Sequence, residues 1–214
     1  MRRLQLAITV PFVQTWRSAG GQSELGGGLG DVQLGARGVA WDPGGAYHLP
    51  GIAVLGSVAA PTGVAADQAH HPLATDSTGQ GTWQLGGGLA LEEWLGERVV
   101  LELSTSCLAR LARAVGEVHS QLAPQLVVAA AAAWLFDGNR VLALTGSVAR
   151  EGDAEVNGAR VPGSGRGLTA LGVFGALPLA DGFRLQGTLS AELPVLGQGQ
   201  SIGVQLVAVL LKAW

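Results

Sequence analysis

Apolar side chains recur at every second position through most of this chain, the spacing at which a β-strand sends successive side chains to opposite faces. Leu4, Leu6, Ile8, Val10 and Phe12 share one face of the first segment, against Gln5, Ala7, Thr9 and Pro11 on the other. Further on, Phe183, Leu185, Leu189 and Leu193 oppose Arg184, Gln186, Thr188, Ser190 and Glu192. Ile202, Val204, Leu206, Ala208 and Leu210 oppose Ser201, Gly203 and Gln205. Similar alternation runs through Val32–Ala40, Ile52–Ala60, Trp83–Leu91, Val99–Ala109, Val118–Trp134, Val141–Ala149 and Thr169–Leu179, which makes ten predicted strands. Over Ser106–Val118 an amphipathic helix with Leu108, Leu111 and Val115 on one face is the competing reading.

The same chain is greasy for a water-soluble domain. Hydrophobic residues make up 48% and charged residues 14%, against a usual charged share of about 25%. Yet its longest apolar run, Leu126–Phe136, has 11 residues, whereas a spanning helix needs about 20. The apolar surface must therefore lie in a core or face lipid on strands. Glycine, at 34 of 214 residues, follows no three-residue period, which excludes collagen, and so much Val, Leu and Ile excludes disorder. A net charge of −3 argues against nucleic acid as a partner, and the single Cys107 excludes an internal disulfide and a cysteine-built zinc site. The opening MRRLQLAITVPFVQTW alternates in polarity and lacks a small-residue cleavage site, so it reads as a strand; a short signal peptide is the alternative.

Breaks between the predicted strands alternate between two sizes. Short ones fall at Asp42-Pro43-Gly44-Gly45, Glu93–Glu97, Asp137-Gly138-Asn139 and Asp181-Gly182, and the Asp, Asn and Gly pairs among them tolerate the positive φ of hairpin turns. Longer polar connections cover Arg17–Gly30, Thr62–Gly81, Arg110–Glu117, Glu151–Gly167 and Leu196–Gln200. Aromatic residues sit near strand ends: Trp41, Trp94, Trp134 and Phe183 beside short turns, Trp16 and Trp83 beside long connections, and Trp214 at the C-terminus. An amphipathic ring at a membrane interface is placed in this way.

An even number of alternating segments, short turns at one end, long loops at the other and aromatic girdles predict a transmembrane β-barrel. The expected fold is all-β, an antiparallel up-and-down barrel of about ten strands, forming one domain over residues 1–214. A soluble β-sandwich shares the alternation but has no need of tryptophans sorted to strand ends. Lipid offers no partners for backbone polar groups, so a spanning sheet must close on itself. The polar face then points inward. It carries the lumen and constriction candidates Arg37, Glu92, Glu102, Gln121, Gln125, Arg184 and Glu192, together with Gln5, Thr9, Gln33, Gln84, Ser104, Ser106, Thr145, Ser147, Gln186, Thr188 and Ser190.

Three short pieces are shared with a known family: Gly28-Leu29-Gly30-Asp31-Val32-Gln33-Leu34-Gly35, Ala60-Pro61-Thr62-Gly63 and Thr78-Gly79-Gln80-Gly81-Thr82-Trp83. In these pieces, their order and their spacing the sequence resembles the outer-membrane transporters associated with the meta-cleavage pathway of phenol degradation. The resemblance implies a Gram-negative outer-membrane barrel passing small hydrophobic or aromatic solutes, with outer-membrane lipid around it and no catalytic residues to carry over. Members of the family usually begin with a signal peptide and more preceding sequence, often enough for another hairpin. That implies a barrel of twelve strands and a chain truncated at its N-terminus. Trp214 resembles the terminal aromatic read by the barrel-assembly machinery.

Residues that suggest chemistry read better as structure. Asp67, His70, His71 and Asp76 lie in one long connection and could be drawn as a metal site or a protease His/Asp pair. Adjacent histidines on a loop diverge, however, and no H-E-x-x-H spacing accompanies them. Ser104, Ser106 and His119 lack a G-x-S-x-G elbow. The glycine run Gly26–Gly30 lacks the Lys-Ser/Thr ending of a phosphate loop. No enzyme, metal or cofactor is expected. Passive passage of small solutes is the leading functional reading; a plugged barrel displaying its loops and an outer-membrane hydrolase using loop His/Asp residues are the alternatives.

Overall fold

The computed structural model describes residues 4–43, 49–180 and 183–193 and the backbone of 203–212. Among the described residues the strands are β1 (Leu4–Thr9), β2 (Phe12–Ala19), β3 (Gln22–Leu29), β4 (Val32–Trp41), β5 (Gly51–Ala60), β6 (Gln84–Leu95), β7 (Val99–Arg110), β8 (Arg113–Val115), β9 (Val118–Gln121), β10 (Gln125–Phe136), β11 (Arg140–Glu151), β12 (Glu155–Val156), β13 (Ala159–Arg160), β14 (Arg166–Pro178), β15 (Phe183–Leu193) and β16 (Gly203–Lys212). Ten of them form one antiparallel sheet in the order β1-β4-β5-β6-β7-β10-β11-β14-β15-β16, an up-and-down meander curled into a half-barrel. The ten wall strands are those expected from the alternation. Among the described residues β1 and β16 are the two edges of the sheet and do not pair.

Register keeps the two faces separate along the wall. Glu92 lies opposite Glu102, Ser104 opposite Ala129 and Ala129 opposite Ser147. Ala170 lies opposite Glu192, which continues the polar and small-residue face to β15. The opposite, convex face exposes Leu6, Leu34, Val54, Leu89, Leu103, Val128, Leu144, Leu171 and Leu189. Buried apolar residues on the wall are the alanines Ala53, Ala59, Ala90, Ala143 and Ala176, all of concave parity. Large apolar residues exposed on the convex face, with alanines as the buried apolar residues of the wall among the described residues, are the reverse of a water-soluble core.

Several connections differ from the sequence reading. Arg17–Gly30, expected as a polar loop, is mostly strand: β2 and β3 pair from Phe12↔Leu29 to Ala19↔Gln22 around a Gly20-Gly21 turn with φ of +59° and +80°. This hairpin continues β1 and β4 past a bend at Pro11 and Gly30, where the Gly30 N–H donates to the Pro11 carbonyl (2.8 Å). Proline cannot donate to the ladder, which breaks the strand there. Val118–Trp134, read as one strand, splits into β9 and β10 before and after Pro124. The helical alternative over Ser106–Val118 is replaced by the end of β7, then β8 and a turn at Gly116. Glu93, Trp94 and Leu95 extend β6 instead of forming a turn. Parts of two long connections form a small sheet ordered β13-β12-β9-β8. The Asp181-Gly182 turn, the Leu196–Gln200 connection, Ser201, Ile202, Gly44, Gly45 and Trp214 lie outside the described residues.

Candidate functional site

On the concave face, β4, β6 and β7 bring together three of the candidate residues. Arg37 Nη2 reaches Glu92 Oε2 at 2.6 Å across β5, and Trp94 Nε1 donates to Glu92 Oε1 at 3.2 Å. Glu102 stands directly opposite Glu92 in the β6–β7 register. Like charges facing each other across a strand pair are unfavourable, and the Arg37 guanidinium offsets this. Beside this group is a hollow of about 340 Å³ whose lining includes Gln5, Gly35, Arg37, Ser57, Gly86 and Ser106. The small residues at these positions make the hollow, because larger side chains there would project into it.

Arg184 and Glu192 share the concave parity on β15, near opposite ends of that strand. Among the described residues Arg184 Nε is buried without a hydrogen-bond partner. Gln125 begins β10 opposite Glu151, at the end bearing the long connections. Gln121 departs from its expected place: it belongs to β9 in the small sheet, paired with Glu155, and is exposed. Trp94 also departs, since it shares the parity of Glu92 and not that of the convex aromatics. Trp41, Trp134 and Phe183 have convex parity at the short-turn end, as do Trp83 just before β6 and Trp16 on β2 at the other end.

A second charged group was missed by the sequence reading, which ended its strands one or two residues early. Arg110 and Glu151 continue the concave parity of Leu108 and Ala149 at the long-connection end. Arg110 Nη1 and Glu151 Oε2 lie 2.6 Å apart, with side chains 5% and 3% exposed, and Arg166 Nε is 3.6 Å from the same oxygen. The close contact is off the hydrogen-bonding axis, so Arg110 Nε and Nη1 and Glu151 Oε2 form no aligned hydrogen bond. The signal was available: Leu108 to Arg110 and Ala149 to Glu151 are each one more step of two.

The rim between β4 and β6 is organised by Asp31, which is 6% exposed. Its Oδ1 accepts from Gly63 N (2.9 Å) and its Oδ2 from Gln80 N (2.8 Å), drawing together the two ends of the β5–β6 connection. Thr62 Oγ1 donates to the Gly30 carbonyl (2.9 Å) and accepts from Val32 N (2.9 Å). Thr78 Oγ1 donates to the Leu29 carbonyl (2.7 Å) and accepts from Val64 N (3.0 Å). Gly63 and Gly79 touch so closely that a Cβ on Gly63 would lie 2.8 Å from Gly79 Cα. The three motif pieces noted in the sequence thus meet in one contact.

The loop residues that suggested chemistry are held in structural roles. Asp76 accepts from His70 N (2.8 Å) and His71 N (3.2 Å), and these bonds, His70's first, hold its carboxyl below the usual carboxylate range. His71 Nδ1 lies 2.8 Å from Thr75 Oγ1, and Asp67 pairs with Arg113 at 2.8 Å. The His119 N–H donates to Asn157 Oδ1. Among the described residues no group of three or more His, Cys, Asp or Glu is placed to hold a metal ion.

A curled antiparallel meander with an apolar convex face and a polar concave one is the wall of a transmembrane β-barrel. The crystal structure of an outer membrane channel from Pseudomonas putida F1 superposes with a TM-score of 0.72 at 16% identity, over 98% of this chain and 76% of that one. The profile of the family described as "Putative MetA-pathway of phenol degradation" matches residues 2–203, and the chain belongs to that family. No curated protein matches it.

Proposed function

We propose that the protein is a passive channel or transporter in the outer membrane of a Gram-negative bacterium, admitting small hydrophobic or aromatic solutes. The observation that carries this reading is the opposition of the two faces. Large apolar side chains stand exposed on the convex side, while the Arg37–Glu92 pair, Glu102 and a small-residue hollow occupy the concave side. A solute with little charge would meet mostly Gly, Ala and Ser there, with Gln5 and Arg37 as polar contacts. The convex face fits outer-membrane lipid, and folding into that lipid would require the barrel-assembly machinery. Membrane likeness of the structural neighbour and membership of the family support the same reading.

The test is solute uptake by vesicles carrying the purified protein. Swelling in small uncharged aromatic solutes above that of protein-free vesicles is expected; equal rates would refute passage. A plugged barrel is favoured by one observation, the packing of the β5–β6 connection against the concave side of the β2–β3 hairpin. In that case Arg37→Ala with Arg184→Ala weakens the barrel without raising permeability.

A further inference from the structure

The β5–β6 connection, residues 61–83, lies on the inner side of the rim. Parity shows this. Leu4, Leu6 and Ile8 on β1 are convex, and the same parity on β2 and its partner β3 exposes Phe12 (71%), Trp16 (69%), Leu25 and Leu29. The opposite side of the hairpin carries Arg17, Glu24 and Gly26, and the connection packs there. Arg17 Nη1 donates to the Leu73 carbonyl (2.8 Å), and Glu24 Oε2 accepts from Leu73 N (2.9 Å). Thr75, 0% exposed, presses on Gly26, where a Cβ would stand 2.6 Å from its Oγ1 and 2.7 Å from its carbonyl carbon. Gly26, Gly28 and Gly30 recur at every second position, so one side of β3 and its end offers a track without side chains on which the connection rests.

We infer that residues 61–83 form a fixed constriction at the mouth of the channel, with Asp31 as the positioning residue that locks its neck. This rests on the channel reading above. Both ends of the segment are tied to one carboxylate, through Gly63 N and Gln80 N. Compact loops with adjoining ends move as units when their ends are released. On its far side the segment is tied to the small sheet through Asp67 and Arg113. Loss of the carboxylate leaves the neck to the bonds of Val64 with Thr78 and Gly79 and of Thr62 and Thr78 with the Gly30 and Leu29 carbonyls, and loosens the segment on the glycine track.

The experiment compares the full chain with Asp31→Ala, Asp31→Asn and Gly26→Val, each folded into planar bilayers and into vesicles. Unit conductance and protease cleavage within residues 61–83 are read, with heat-modifiable gel migration as the control for a folded barrel. Asp31→Ala is expected to raise conductance severalfold and open the segment to cleavage. Asp31→Asn, which keeps one acceptor oxygen, should fall between it and the parent. Gly26→Val acts on the track, away from the neck, and should raise conductance even if Asp31→Ala does not fold. Cleavage in folded variants at unchanged conductance would overturn the constriction; an uncut segment in folded Asp31→Ala would overturn the role of Asp31. Silence of the parent and all released variants would overturn the channel reading, and the constriction with it.

Discussion

Glu151 should be the most costly charge to remove from this protein. It lies 2.6 Å from Arg110 with both side chains nearly inaccessible, and 3.6 Å from an Arg166 side chain that is 46% exposed. Glu151→Leu strands the Arg110 guanidinium in a dry site, and breaking a buried pair in this way costs about 3–5 kcal/mol. Arg110→Met is less severe. Arg166 remains beside Glu151, and a partly exposed pair of that kind contributes up to about 1 kcal/mol. Its cost should therefore be lower by about that amount. Replacing both leaves no buried charge and lets Arg166 turn to water, so the double variant should fall within about 1 kcal/mol of the parent or above it. Urea unfolding from vesicles, followed by the fluorescence of the six tryptophans, measures all three. A Glu151→Leu cost below about 1 kcal/mol, or a double-variant cost equal to the sum of the singles, would refute the reasoning. Either result would mean that water reaches the pair and that its low exposure does not amount to desolvation.

Arg37→Ala leaves Glu92 and Glu102 facing each other without their cation, so reversal potentials under a salt gradient should shift towards cation preference; an unshifted potential would place this group off the conduction path. Leu144→Arg puts a charge on the convex face of β11 and should cost about 2–4 kcal/mol in vesicle unfolding, whereas Thr145→Asn on the concave face should cost far less. Equal costs would argue against lipid on the convex side. Asp76 has a lowered folded pKa, so its contribution is complete above the unfolded value of about 4 and is lost as pH falls through the folded one. Protease cleavage within residues 61–83 should consequently rise below about pH 4 in the parent, and Asp76→Ala should show high cleavage at both pH 4 and pH 7. No acid dependence in the parent would remove Asp76 from the loop's support.

What the sequence made legible was the wall, because a lipid-facing strand must place apolar residues at alternate positions for its whole length. Leu126, Val128, Trp134 and Phe136 kept that parity, and so did Arg184 to Glu192 on the opposite face. The rim was harder. On β3 the alternation is hidden because Gly26 and Gly28 occupy the covered side, and at Gly26 the approach of Thr75 leaves no room for a Cβ. Leu25 and Leu29 still stand on the outer side opposite Trp16 and Phe12, and Gly20-Gly21 is a turn signal, so the hairpin left a trace. Gln121 misled for another reason: its polarity suits the wall face, but Pro124 ends the ladder before the wall begins at Gln125. Trp94 was placed by its distance from a turn, whereas parity with Glu92 decides its side.

The glycine-rich pieces gain a common explanation from the contact at Asp31. Taken singly, Gly26–Gly30 resembles a phosphate loop, a place where backbone N–H groups surround an anion. Converging N–H groups are in fact present, but on the β5–β6 connection, and the anion is the protein's own carboxylate, held by Gly63 N and Gln80 N. The glycines supply the approach: a Cβ on Gly79 would run into Asp31 Oδ1, and one on Gly30 would meet the Thr78 carbonyl at 3.0 Å. Charge-assisted bonds to backbone N–H groups are the stronger kind, and here the two bonds span the neck of a segment of about twenty residues. Glycine, threonine and one aspartate at three separate places therefore form a single device. Substitution at any of the three should release the same segment, whereas changes on the convex face should leave it seated.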